Sequence, residues 1–147
     1  MSEESSKRFI DNGDGTVTDT ETHLMWKQTD AMQDLNKWTN WHESQDYIRD
    51  LNAKLYLDYH DWRIPTLKEA ESLYDASQSW HIRDMDRFEI FINPVFAPGG
   101  GYTSWTSSER PHGGAVIFYY RYGHANVNNK EDISRDTVRA VRTIKKS

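Results

Sequence analysis

The order of secondary-structure signals predicts an α+β fold, with short strands opening and closing the chain and helices in its middle. Three observations predict it. Phe9-Ile10 and residues 16–19 flank a Gly-rich turn, the pattern of a hairpin. Residues 61–74, DWRIPTLKEAESLY, place bulky Trp62 and Ile64 at strand spacing and stop the strand with Pro65; Thr66 and Glu69 then start a helix as a capping box. Residues 102–108, 115–120 and 137–144 are β-prone and lie late in the chain.

A length of 147 residues fits one domain with a single core. Residues 1–7 are polar and expected to be a disordered leader, leaving 8–145 as that domain. Only 36% of residues are hydrophobic, yet 13% are aromatic, with six Trp and eight Tyr, so rings must fill the core and also reach the surface. A net charge of −5 with both signs interspersed argues against a nucleic-acid binder, which needs a basic face. The absence of cysteine excludes disulfides and thiol chemistry. No signal peptide or membrane span is visible, so the chain as written reads as cytoplasmic.

In chain order, Phe9-Ile10, residues 16–19 and 24–26 are expected as three strands and residues 28–39 as a loop. Asn40 and Glu43 form a capping pair before a helix over 41–54, with Trp41, Ile48, Leu51 and Leu55 on one face. The 61–74 corner leads into a second helix ending near Ser77, with Leu67, Ala70, Leu73 and Tyr74 inward. A short helix or turn is expected over 84–90, then a long loop broken by Pro94 and residues 98–101. Three strands close the chain, the last two separated by a polar connection over 121–135.

Candidate chemistry is sparse. The Asp11–Gly15 cluster reads as a hairpin turn, with a metal-binding turn as the alternative, because its glycines and acids do not follow an EF-hand spacing. The six histidines are scattered, without a ligand-spaced pair, and Ser107-Ser108-Glu109 lacks a nucleophile elbow. No cofactor, metal or catalytic residue is expected.

The motifs FIDNGDGTVTDTETHLMW, DWRIPTLKEAESL, YTSWTSS and a closing VRAVR, spanning Phe9 to about Arg142, resemble the DUF1566 family. That family is also described as the C-terminal domain of the Legionella collagen-like protein. The resemblance implies a C-type lectin-like fold with two helices flanking a small, mainly antiparallel sheet, a loop-rich second half and neighbouring termini. It also implies a surface or secreted protein. Formylglycine-generating relatives of the fold rely on cysteines and ergothioneine-type oxidases on a multi-histidine iron site, and this chain has neither. The Glu-Pro-Asn, Gln-Pro-Asp and Trp-Asn-Asp motifs of calcium-dependent lectins are also missing, so the fold does not carry sugar-binding with it.

In this fold the late loops form the usual ligand face. Here they contain Trp105, Glu109, Arg110, His112, Tyr119, Tyr120, Arg121, Tyr122, His124, Asn126 and Asn128, the ring-plus-amide chemistry of recognition surfaces. Trp26, Trp62 and Trp105 also read as core rings, and Arg63 as making a structural ion pair or backbone contacts near the helix start, with ligand contact as the lesser alternative. The expected function is a non-catalytic domain binding a glycan, protein or surface polymer. One variant is a variable protein of a diversity-generating retroelement, with which the run YYRYGHANVNNKEDISRD is compatible. The alternative is a structural or oligomerisation module of a surface or phage-associated protein, its aromatic face pairing copies of the chain.

Overall fold

The computed structural model describes residues 8–145, so the expected leader at 1–7 lies outside the described residues. The structure is mixed helix and sheet, with three small antiparallel sheets where one was expected. Strands β1 (Phe9–Asp11), β2 (Thr16–Asp19), β3 (Leu24–Lys27) and β9 (Val141–Thr143) form the first sheet in the order β1-β2-β3-β9. The β1–β2 turn is built by its own carboxylates: Asp11 Oδ1 accepts from the Gly13 N–H at 2.9 Å, and Asp14 Oδ1 accepts from the Thr16 hydroxyl at 2.6 Å. Gly13 and Gly15 supply the positive φ angles of 79° and 93° that the turn requires. Among the described residues no group of three or more metal-ligating side chains gathers here or elsewhere.

The expected loop at 28–39 contains a helix, α1 (Ala31–Leu35), started by a capping box between Asp30 and Gln33. Helix α2 (Trp41–Ala53) begins with the anticipated Asn40/Glu43 box and buries Tyr47, Ile48 and Leu51. Leu55, expected on that face, is exposed, because the chain turns at Leu55 itself with a left-handed φ of 52°. Helix α3 (Leu67–Ser72) starts at the Thr66/Glu69 box but stops short of Ser77. Beyond it the Asp75 carboxylate accepts from the N–H groups of Ser77 and Ser79 and holds a turn in place of another helical one.

The helix or turn expected over 84–90 is a β-hairpin, β4 (Ile82–Arg83) with β5 (Glu89–Ile90). Asp84 organises it by accepting from the Asp86 and Phe88 N–H groups. The third sheet joins β6 (Thr103–Arg110), β7 (Gly114–Tyr119) and β8 (His124–Asn129), the last lying inside the expected polar connection. The closing strand is regular only over Val141–Thr143, although the Thr137 carbonyl accepts from Trp105 and the Ala140 carbonyl from Lys27.

Two apolar clusters lie on opposite faces of β7. Phe118 and Tyr120 join Val17, Trp26, Ala70, Leu73, Ile90, Ile92 and Phe96 on one side. Ala115 and Ile117 join Ile48, Leu51, Trp62, Ile64, Trp105, Val138 and Ala140 on the other. Strand alternation sorts neighbouring residues between the two, so one small sheet divides the core. The 61–66 corner ties helix to sheet: Arg63 donates to both Glu69 oxygens, at 2.5 and 2.8 Å, and exchanges backbone hydrogen bonds with Val141. Arg63 is thus the structural ion pair its sequence context suggested. Among the described residues no helix is long and apolar enough to cross a membrane.

Candidate functional site

The late sheet separates the candidate residues into three groups. Trp105 and Tyr120 are fully buried. Trp105 faces the second cluster and donates its indole N–H to the Thr39 carbonyl at 3.0 Å; Tyr120 faces the first and donates its hydroxyl to the Ala70 carbonyl at 2.8 Å. Both are core side chains and take no part in a surface site.

Glu109, Arg110 and His112 are exposed at the far end of the sheet, around the β6–β7 turn. Glu109 pairs with Lys130, whose ammonium also lies over the Trp41 ring at 4.6 Å. His112 holds a left-handed φ of 66° in the turn. Arg110 pairs with Gly114 and His124 with Tyr119, five residues further along β7, so the two ends stand roughly 17 Å apart.

The third group forms a continuous surface at the β7–β8 end. Tyr122 and Tyr119 each stack on His124, with centroids 5.6 and 5.2 Å away and planes within 19° and 24° of parallel. Tyr102 extends the row, 6.0 Å from Tyr119. The row follows from the fold: His124 is registered opposite Tyr119, and the four-residue turn between them projects Tyr122 outward, 63% exposed. Asn126 and Asn128 continue the same face of β8. The Asn126 side-chain oxygen accepts from the Val127 N–H at 2.9 Å, and the Asn128 amide donates to Asp136 at 3.3 Å.

Beside this row the Arg121 guanidinium is held between two rings, 3.9 Å from the Tyr102 centroid and 4.3 Å from that of Phe88. Its Nε donates to Asp84 at 2.7 Å. Arg135 donates to Asp86 and lies over the Trp38 ring at 4.9 Å. Phe88, Glu89, Phe91, Arg121 and Tyr122 line a recess of about 330 Å³. Burial first, and the Asp136 carboxylate second, push the Tyr102 and Tyr119 hydroxyls above the usual phenol range.

A larger cleft, about 510 Å³, lies at the 61–66 corner. Its polar side chains are already engaged with one another: Arg63 binds Glu69, and Asn52 bonds to the Trp62 backbone in both directions. A third, of about 430 Å³, contains Lys27 and Tyr47, both directed at Asp34. The smaller recess differs in having exposed rings at its rim.

The family model of the Lcl C-terminal domain matches residues 15–142. The chain belongs to that family. The match runs from the β1–β2 turn to β9, and so takes in the corner, the ring row and the recess of this Lcl C-terminal domain. No curated protein sequence matches the chain.

Two contributors to the site escaped sequence reasoning: Phe88 and Tyr102. Phe88 was hidden because 84–90 read as helix or turn. Tyr102 was hidden because its neighbours in the site, Tyr119 and Arg121, are 17 and 19 residues away in sequence. The signal that pointed to the region was the density of Tyr, His and Asn around 119–129.

Proposed function

We propose that this Lcl C-terminal domain is a non-catalytic recognition module whose ligand lies across Tyr122, His124 and Tyr119. The carrying observation is the stacked row ending in a Tyr122 that is 63% exposed, beside an exposed Phe88 and a ring-held Arg121. Rigid rings flanked by amide and guanidinium donors suit a ligand with flat C–H faces and hydroxyls, which favours a glycan over a charged polymer. Asp84, Asp86 and Asp136 at the border are each engaged by hydrogen bonds, which supports binding rather than acid–base catalysis.

Tyr122→Ala removes the outermost ring without touching the core. Binding of any glycan found on an array should fall roughly tenfold or more, with the thermal midpoint within about 1 °C of wild type. Unchanged affinity in this variant would sink the assignment of the face, and capture of a protein instead of a glycan would redirect the ligand class.

The exposure of Phe88 and Tyr122, at 57 and 63%, favours a second reading in which this face pairs copies of the chain. A concentration-independent monomer in sedimentation would reject it. The finer fold assignment, C-type lectin-like, is supported by α2 and α3 packing around the late strands; superposition of an experimental structure on that class tests it. The retroelement variant is supported by the Tyr- and Asn-rich run lying on the exposed hairpin, and a genomic neighbourhood without a template repeat and reverse transcriptase would reject it.

A further inference from the structure

Arg139 is fully buried, and among the described residues none of its three guanidinium nitrogens has a hydrogen-bond acceptor. The other well-buried bases each have a carboxylate: Arg8 meets Asp19 at 2.8 Å, and Lys27, Arg121 and Arg142 meet Asp34, Asp84 and Asp61 at 2.7 Å. Position explains the burial. Along the extended segment before β9, Val138 and Ala140 face the second cluster while Val141 faces the first, and Arg139 alternates with them toward Phe96 of the first. An arginine therefore occupies a slot that the strand pattern assigns to an apolar residue.

Loss of a proton cannot relieve it, because a guanidinium stays charged at every pH at which proteins fold. Phe96 supplies a ring face at 5.5 Å, farther than the 3.7 Å of Arg142 over Tyr59, and offers no lone pair to the N–H groups. Burial pushes the nearby Tyr120 hydroxyl far up, so no tyrosinate forms there, and its proton is committed to the Ala70 carbonyl. A second buried donor is also unsatisfied: the indole N–H of Trp26, which is registered opposite Val141, two residues beyond Arg139. Two neighbouring buried donors without acceptors, one of them charged, call for an occupant with negative charge and lone pairs but no protons of its own.

We propose that Arg139, with the Trp26 indole N–H, holds one buried monovalent inorganic anion of halide size. The site lies within the first core cluster, separate from the exposed ring row, and does not depend on what that row binds.

The test uses the full chain at constant ionic strength, with sodium chloride replacing sodium methanesulfonate, whose anion is too large for a packed core. The thermal midpoint should rise roughly 3–6 °C per tenfold chloride above the dissociation constant, and Arg139→Met should abolish that rise. Crystals grown in sodium bromide should give one anomalous peak within hydrogen-bond distance of the guanidinium. No peak, ordered water alone at the guanidinium, or an equal chloride response in Arg139→Met would overturn the proposal. Should Arg139→Met fail to fold, the wild-type bromide crystal decides by itself.

Discussion

Asp136 is a carboxylate at odds with its surroundings, 3% exposed and, among the described residues, without a salt-bridge partner. Burial raises its proton affinity, and hydrogen bonds from Thr103 and Asn128 only partly oppose this. The folded state thus holds the proton more tightly than the unfolded chain does. Stability therefore falls as pH rises from the unfolded value near 4 through the raised folded one, and stays lower above it. Asp136→Asn is accordingly expected to be more stable than wild type at pH 7, with the difference shrinking as pH falls toward 4; urea unfolding across that range checks the sign. Burial at this scale was only partly legible. Tyr119, Tyr120 and Tyr122 look equivalent in sequence; the fully buried Tyr120 differs from the exposed Tyr122 because its backbone is still tied to Tyr102 and Phe91, whereas Tyr122 rides the open part of the turn. Trp105 read correctly as a core ring while also standing among the ligand candidates, since an aromatic on a late strand fits either role until its face is known.

Elements announced themselves through local chemistry and hid where pairing was remote. Helices α1, α2 and α3 each begin at a side chain that accepts from the third helical residue, which in turn caps back. Two of these boxes were read directly. The third, Asp30 with Gln33, carries the same signal but opens a helix of five residues, too short to display a period. Thr66→Ala should cost about 1 kcal/mol by denaturant unfolding, since it removes the oxygen that holds the Glu69 N–H. Strand β8 was illegible because its residues are nearly all exposed and gain strand character only from β7. It is also an open edge. Lys130 donates to the Gly113 carbonyl in register with the β7–β8 ladder, so alternation turns the Val127 N–H outward, where Asn126 covers it. Asn126→Ala should uncover that donor and lower the dissociation constant of self-association roughly three- to tenfold, read by sedimentation equilibrium.

At the scale of the whole molecule, the α+β class and most of the element order could be read from motifs, whereas the partition into three sheets could not. Which strand pairs with which depends on contacts such as β3 with β9, more than a hundred residues apart, and no local pattern encodes them. The same pairing sets how the described chain enters and leaves. Phe9, Asp19, Leu24 and Thr143 stand in one row across the first sheet, with β1 and β9 at its two margins, about 14 Å apart. Tension applied through those two points acts across the strands, so the marginal strands peel away one hydrogen-bonded pair at a time instead of shearing all pairs together. The domain should rupture at low force, with the bonds from Arg8 to Asp19 and Ser72 as its first latch. Optical-trap pulling should register a lower rupture force still for Arg8→Ala. A module hung this way is mechanically a pendant: it can hold what its rings grip, but it would unzip if made a link in the line of pull.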